Sequence, residues 1–197
     1  MRVIVIGAAG AIGQAVVAEL GQRHDIVTVG ASSGQYQVDM ADIGQVRALF
    51  AKVGPADAVV VAAGALHLAP LPVMTPELFR VGLDSKLMGQ VNVALVAQSH
   101  LNDGGSITLT SGIDETLPDG ASAIMVNSAI EGFVRGAAVE LQRGLRINAV
   151  APTVLEESMA AYGHLFIGYQ PVPGRRAALS YARSVDGPHT GRIYHAR

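Results

Sequence analysis

A glycine-rich turn at the start of the chain, between an apolar strand and a helix, is the feature that most constrains the fold. Residues 2–6 (RVIVI) form an uninterrupted β-branched run, and glycines follow at positions 7, 10 and 13. Gly7 permits the tight turn, Gly10 allows close approach to the backbone, and Gly13 lets the helix pack on the sheet. Because the free N–H groups at a helix N-terminus attract anions, this order predicts a dinucleotide pyrophosphate site. A flexible turn without a ligand is the alternative.

Short β-branched runs alternate with longer stretches of helical period along the whole chain. The pattern predicts strands at residues 2–6, 25–29, 36–38, 57–61, 106–110, 146–150 and 192–194. It predicts helices at residues 11–22, 42–52, 75–100, 121–142 and 174–184. Parallel strands joined by right-handed crossovers form a doubly wound sheet. We therefore expect an α/β fold with a doubly wound parallel sheet of Rossmann type, in a single three-layer α/β/α domain spanning residues 1–197.

Composition excludes several classes of function. Half of the 197 residues are hydrophobic and 15% are charged, a balance that argues against disorder. No apolar run reaches the roughly 20 residues that a bilayer span needs, so we expect no membrane partner. The net charge of −2 and the absence of a Lys/Arg cluster argue against nucleic acid. With no Cys and no metal-ligand spacing among six His, we expect a cytoplasmic protein without a metal.

Three segments resemble the short-chain dehydrogenase/reductase family. Residues 7–13 resemble its G-x-x-G-x-x-G variant, and residues 38–42 (VDMAD) resemble its D-hydrophobic-x-D turn. Residues 62–64 (AAG) resemble the family's N-N-A-G segment, with Val61 in place of its leading Asn. This resemblance covers the chain from end to end, and it implies a nicotinamide dinucleotide cofactor.

The resemblance also implies which residues contact the cofactor. Asp39 would accept from the adenine amino group, and residues 62–64 would lie beside the adenosine ribose. The second strand ends without an acid, and Ser32 and Ser33 can donate to a 2′-phosphate, which favours NADP; NAD and a plain Gly/Ser turn remain alternatives. Leu155 would cover the nicotinamide. The full set of expected cofactor contacts is Gly7, Ala9, Gly10, Ile12, Gly13, Ser32, Ser33, Asp39, Met40, Ala62, Ala63, Gly64, Pro152 and Leu155.

The expected catalytic residues depart from the family pattern. The family uses a Tyr as the proton donor, a Lys four residues later, a Ser that orients the substrate and an Asn that supports a proton relay. Ser111 falls on the Ser position, but the family's spacing places Ile124 and Ser128 where Tyr and Lys belong. No Tyr occurs between residues 112 and 161, so the Tyr-x-x-x-Lys pair is missing.

Lys86 stands where the family has its Asn, because residues 86–89 (KLMG) resemble N-L-x-G. One hypothesis places Lys86 in the cleft as the missing cation, and the other makes it a solvated helix residue. Ser111 and Lys86 are therefore the catalytic candidates, and Tyr162 or Tyr169 could substitute as an acid. A polar stripe on the long helix, with an intrahelical ion pair or a subunit interface as its role, comprises Asn127, Glu131 and Arg135.

These residues support several functions. The first is an NADPH-dependent oxidoreductase acting on a small carbonyl or alcohol through a non-standard proton relay. The second is a non-catalytic dinucleotide-binding sensor or scaffold, and the third is an isomerase or lyase that uses the cofactor transiently. The family commonly dimerises through the long helix and the helix that carries Lys86, so the expected partners are a small-molecule substrate and a second copy of the chain, as a homodimer or larger homo-oligomer.

Overall fold

The strands form one parallel sheet in the computed structural model, which describes residues 1–113 and 117–197. Within these residues the strands are β1 (Arg2–Ile6), β2 (Asp25–Gly30), β3 (Tyr36–Gln37), β4 (Ala56–Val61), β5 (Leu101–Thr110), β6 (Arg146–Pro152) and β7 (Ile193–Ala196). Their order is β3-β2-β1-β4-β5-β6-β7, and every neighbouring pair is parallel. The predicted doubly wound parallel sheet is confirmed.

Helices cover both faces of this sheet. They are α1 (Ala11–Leu20), α2 (Ile43–Val53), α3 (Pro76–Gly82), α4 (Gly89–His100), α5 (Ala121–Glu140), α6 (Met159–Tyr162) and α7 (Gly174–Asp186). Ile4 and Ile6 face the core shared with α2, α4 and α5, whereas Val3 and Val5 face the core shared with α1 and α7. Because successive strand residues point to opposite faces, two covered faces explain why β1 is apolar throughout.

Two helix starts follow from their capping residues, as the sequence predicts. The carboxylate of Asp42 accepts from the backbone N–H groups of Gly44 and Gln45 at the start of α2. The hydroxyl of Thr75 accepts from the N–H of Leu78, and Pro76 occupies the first position of α3. These caps satisfy N–H groups that have no intrahelical partner.

The helix predicted over residues 75–100 is interrupted in its middle. A π-helical segment (Leu83–Met88) joins α3 to α4, and Lys86 lies within it. Such segments are rare and occur frequently at functional sites, because they displace side chains from the regular helical faces. The apolar period of the sequence is compatible with an α-helix throughout, so it did not reveal this irregularity.

The strand order reverses at β1, which lies between β2 and β4. Ile6 and Val61 are paired at the carboxyl ends of β1 and β4, and the N–H of Ala62 donates to the carbonyl of Ile6. In open α/β sheets this switch point is where ligands bind. In the part of the chain that the structure describes, no helix combines the length and apolar character needed to cross a membrane.

Candidate functional site

The three glycines of the first turn have different steric roles. Gly7 has φ +86°, and a methyl group there would overlap the carbonyl of Ala62. A Cβ at Gly13 would lie 2.7 Å from the carbonyl carbon of Gly7 and would overlap its oxygen. A Cβ at Gly10 would meet only that oxygen, at an ordinary 3.4 Å. The fold therefore requires glycine at positions 7 and 13, while Gly10 leaves open space at the surface of the loop.

At the N-terminus of α1, backbone N–H groups without an intrahelical acceptor lie next to this space. The first intrahelical hydrogen bond runs from the N–H of Gln14 to the carbonyl of Gly10 (2.9 Å), so the N–H groups of residues 11–13 precede the helical ladder. The first turn of α1 contains no acidic residue. The side-chain amide of Gln14 donates to the carbonyl of Ala9 (2.7 Å) and fixes the loop. Such a terminus favours an anion.

A cleft of about 520 Å³ extends from this loop along the carboxyl edge of the sheet. Its floor is formed by the ends of β4, β5 and β6, and its outer walls come from the segments that follow them. The residues expected from the sequence that line it are Gly10, Ile12, Ala62, Ala63, Gly64, Lys86, Ser111, Pro152 and Leu155. The structure therefore brings the glycine-rich turn and both catalytic candidates to one cavity.

The ammonium of Lys86 is fixed inside the cleft by two neutral acceptors. It donates to the backbone carbonyl of Ser111 and to Oδ1 of Asn127, both at 2.8 Å. Burial lowers the pKa of Lys86 to about 8, because the charged form is desolvated. An ammonium has three donors, so these two bonds leave the third for a ligand in the cleft. Lys86 is therefore a cleft residue, and not a solvated helix lysine.

Two glycines make room for this arrangement. Gly64 has φ +137°, and a Cβ there would lie 2.7 Å from Cα, Cβ and Cγ of Lys86. A Cβ at Gly112 would lie 2.7 Å from Nδ2 of Asn127. Asn127 is buried, and its Nδ2 donates to the carbonyl of Ile113 (3.4 Å). Because neither glycine has a side chain, the backbone at both positions can lie close to the hydrogen-bonded pair of Lys86 and Asn127.

The face that α5 presents to the cleft differs from the prediction by one residue. Ala123 and Asn127 line the cleft, whereas Ile124 is half-buried and Ser128 is exposed. The rotation of α5 is set by its buried stripe, which continues from residues 123 and 127 through residues 130 and 134. Counting residues from Ser111 missed this rotation because the loop between them has no fixed length. Neither position on the cleft-facing side is Tyr or Lys.

The hydroxyl of Ser111 is turned toward the interior of the protein. It donates to Oε1 of Glu131 (3.2 Å), with the carbonyl of Val150 at 3.5 Å. Oε2 of Glu131 accepts from Arg135 (3.1 Å), which confirms the intrahelical pair expected from the sequence. Asn127 and Glu131 are buried, however, so only the Arg135 end of this stripe reaches the surface. Two residues of this stripe therefore accept hydrogen bonds from the catalytic candidates: Asn127 from Lys86, and Glu131 from Ser111.

The residues expected at the adenosine end lie beyond this cleft. Ser32 and Ser33 form an exposed turn after β2. Oδ1 of Asp39 accepts from the N–H of Ala41 (2.9 Å), which closes the turn that the sequence suggested. The side chain of Met40 is buried against Gly89, so only its backbone is available to a ligand. None of these four residues lines the cavity.

Other cleft residues were less evident from the sequence. Thr153 lines the cavity, but its Oγ1 is buried and has no hydrogen-bond partner among the described residues. Tyr162 also lines the cleft, whereas Tyr169 lines a smaller adjoining cavity. The sequence pattern places Asn127 in a polar stripe and assigns neither it nor Gly112 to the site; the available signal was a polar stripe on the side of α5 that is otherwise apolar. In residues 1–113 and 117–197, no three acidic or His side chains are grouped to hold a metal ion.

Several known proteins are similar to this chain in sequence. A family model described as enoyl-(acyl carrier protein) reductase matches residues 3–168. The tetrahydroxynaphthalene reductase PfmaG of Pestalotiopsis fici is 28% identical over 183 residues, which cover 79% of this chain and 66% of that protein. The hydroxynaphthalene reductase arp2 of Aspergillus fumigatus is 30% identical over 141 residues, covering 68% and 52% respectively. The chain thus spans between about half and two thirds of these curated relatives.

Solved structures show the same fold over the whole chain. The protein lin1944 from Listeria innocua superimposes with a TM-score of 0.98 and 41% identity, and the match covers 100% of both chains. A small-chain dehydrogenase in complex with NADPH gives a TM-score of 0.86 at 22% identity, over 99% of this chain and 95% of that chain. The second likeness concerns the fold alone.

Proposed function

This chain belongs to the short-chain dehydrogenase/reductase family, and we propose that it is a cytoplasmic, NADPH-dependent oxidoreductase that reduces a small carbonyl compound. Bound NADPH would supply a hydride to the carbonyl carbon and leave as NADP⁺. Lys86 would supply a proton to the carbonyl oxygen, so that one C–H and one O–H bond form and an alcohol results. In the reverse reaction, neutral Lys86 would accept the proton of the alcohol while NADP⁺ accepts the hydride.

The residues present fit a dinucleotide phosphate. The open surface at Gly10 and the free N–H groups of residues 11–13 would hold the pyrophosphate. The turn after β2 carries Ser32 and Ser33 and no acid, which supports NADP over NAD. Two structural neighbours, a small-chain dehydrogenase and ElxO, were solved with NADPH and NADP respectively.

One observation carries the catalytic part of the proposal: the ammonium of Lys86 is held by two neutral acceptors inside the cleft. In the described residues it has no carboxylate partner, so its charge is available to an oxygen that becomes negative during reduction. Ser111 is a weaker donor candidate, because its hydroxyl hydrogen points to Glu131. Lys86 therefore takes the role of acid that a Tyr has in the family.

Titration and turnover test this proposal together. The protein should quench or shift the fluorescence of NADPH on binding, with weaker binding of NADH. It should then consume NADPH with at least one member of a panel of aldehydes, ketones and quinones. Tight binding without turnover on any carbonyl would instead favour a non-catalytic sensor or scaffold, which the missing Tyr and Lys also suggest. If neither nucleotide binds, both functions are excluded.

The pH dependence of reduction should report the titration of Lys86. Its pKa is lowered from 10.5 to about 8 by burial, and the protonated form is the acid. We expect kcat/KM for reduction to be level at lower pH and to fall as the pH rises through about 8, approaching tenfold per pH unit above it. Alcohol oxidation should show the opposite trend. The measurement is a pH profile of kcat/KM in both directions; a flat reduction profile across this range would contradict the assignment.

We also propose that a second copy of the chain packs on α4 and α5. Exposed apolar side chains lie along both helices and at the residue before α4, and these are Met88, Leu95, Met125 and Val139. Gly132 and Gly136 on α5 have open space where a Cβ would project, so another helix can approach closely. The two helices would then form a four-helix contact with their symmetry mates.

Charge on this face should prevent self-association. Leu95→Arg and Val139→Glu each place a charge on a side chain that is now exposed and apolar, and we expect either to convert a dimer or larger oligomer to monomer. Leu179→Arg on α7 is a matched control, because Leu179 is also exposed but lies on the other side of the sheet. Light scattering after size exclusion measures the mass. A monomeric parent protein would refute the proposed contact.

A further inference from the structure

We infer that the substrate is a neutral, largely apolar carbonyl compound, and that sugars, keto acids and phosphorylated carbonyls are poor substrates. This inference rests on the proposed reductase function and specifies which carbonyls the cleft accepts. It follows from the walls of the cleft, from the hydrogen bonds that several of its polar groups already make, and from the one charged side chain among the described residues that line it.

The walls beyond Lys86 are apolar on three sides. The segment after β4 contributes Leu66 and Leu68, and the segment before α5 contributes Leu117 and Pro118. The segment after β6 contributes side chains that include Leu165 and Phe166. These walls come from separate loops around one opening, so a substrate that reaches Lys86 contacts hydrocarbon on each side. Burial of apolar substrate surface is the main source of affinity in such a cavity.

The polar side chains of Thr110, Ser111 and Asn127, which line the cleft with Lys86, are bonded within the protein. The hydroxyl of Thr110 donates to the carbonyl of Val61 (2.6 Å) and lies 2.8 Å from the hydroxyl of Tyr181. The hydroxyl of Ser111 donates to Glu131, and the amide of Asn127 is used by Lys86 and Ile113. A polyhydroxylated substrate would therefore lose hydrogen bonds to water that these groups do not replace.

Lys86 is the only charged side chain among the described residues that line the cleft. Its third donor can serve one oxygen at a time. A substrate carboxylate or phosphate would compete with the carbonyl for that donor, since no Arg or second Lys among these residues can receive the anion. An anionic substrate would therefore either bury an unpaired charge or bind with its carbonyl away from Lys86.

A matched pair of ketones tests this inference. Phenylacetone and phenylpyruvate share the phenyl ring and the ketone, but a methyl group in the first is a carboxylate in the second. We expect kcat/KM with NADPH to be at least about tenfold higher for phenylacetone. The comparison is extended with larger and smaller neutral ketones, each paired with its keto acid, and with dihydroxyacetone as a polar carbonyl.

A wall variant should shift the preference. Leu68→Arg places a cation on a half-buried wall position, and it should move the ratio of the two kcat/KM values toward phenylpyruvate by about tenfold or more. Leu68→Gln introduces a polar side chain without a charge, and it should leave the ratio of the two kcat/KM values near that of the parent protein. Both variants are compared by circular dichroism and NADPH affinity with the parent protein.

The outcomes separate this inference from the proposed function. Turnover that is confined to keto acids or polyhydroxylated carbonyls, or that is equal for both members of each pair, would overturn the inference and leave the reductase function intact. NADPH binding without consumption on any of these carbonyls would refute the reductase function and, with it, the substrate class. Preference for the neutral member of each pair, with the expected effect of Leu68→Arg, supports both.

Discussion

Replacing Lys86 with alanine should lower kcat/KM for carbonyl reduction by about 10²–10⁴-fold. The variant removes the only charged group among the described cleft residues, and with it the donor that would protonate the substrate oxygen. NADPH affinity should change little, because the pyrophosphate would bind at the glycine loop and not at Lys86. Steady-state kinetics and NADPH titration of the same preparation measure the two effects separately.

Two further variants define what Lys86 contributes. Lys52→Ala is the matched control, since Lys52 is the one other lysine in the sequence and is exposed on α2. It should leave activity and affinity unchanged. Lys86→Arg keeps the positive charge but cannot give up its proton at ordinary pH, so it should restore only the electrostatic part of the activity. Unchanged turnover in Lys86→Ala would show that Lys86 is a structural residue.

Gly13→Ala should destabilise the protein by about 3 kcal/mol or more, a large part of the stability of a typical domain. The new methyl group would overlap the carbonyl oxygen of Gly7 and lie 2.9 Å from Cα of Ala8, so α1 must move away from the sheet. Helix propensity alone predicts the opposite sign, because alanine is favoured over glycine within a helix by about 1 kcal/mol. Urea unfolding followed by circular dichroism decides between these expectations.

Gly10→Ala is the matched control for Gly13→Ala, and it separates folding from binding. Gly10 has φ −74°, which alanine adopts readily, and a Cβ there makes only an ordinary contact at 3.4 Å. Stability should therefore remain within about 1 kcal/mol of the parent. NADPH affinity should fall at least about tenfold, because the methyl group would occupy the space left for the pyrophosphate. If Gly10→Ala binds NADPH normally, the ligand does not approach the loop as proposed.

The fold was largely predictable because its local signals are strong and mutually consistent. The apolar run of β1 requires cover on both faces, and the glycine turn joins it directly to α1. Asp42 and Thr75 mark the beginning of their helices by capping side chains whose preference is local. Each of these features depends on residues close together in the chain, so a single sequence contains the information.

The candidate site was less predictable because it depends on how distant elements meet. Tertiary packing determines both the π-helical segment that carries Lys86 and the rotation of α5 about its axis. Neither feature changes the spacing of apolar residues enough to be detected in the sequence. The rotation decides that Asn127, and not Ser128, reaches the cleft. The seats provided by Gly64 and Gly112 are contacts across the fold. A single sequence contains no measure of these distances.

Transfer of deuterium from NADPH shows whether this cleft reduces a carbonyl with Lys86 as the acid. NADPH labelled with deuterium at the transferable position of the nicotinamide is incubated with the protein and a neutral ketone, and the alcohol is examined by mass spectrometry. We expect the parent protein to form an alcohol that carries one deuterium on the former carbonyl carbon, and we expect Lys86→Ala to form almost none of it. Labelled NADPH that binds but yields no deuterated alcohol from any neutral ketone would contradict this assignment. Equal amounts of deuterated alcohol formed by both proteins would also contradict it.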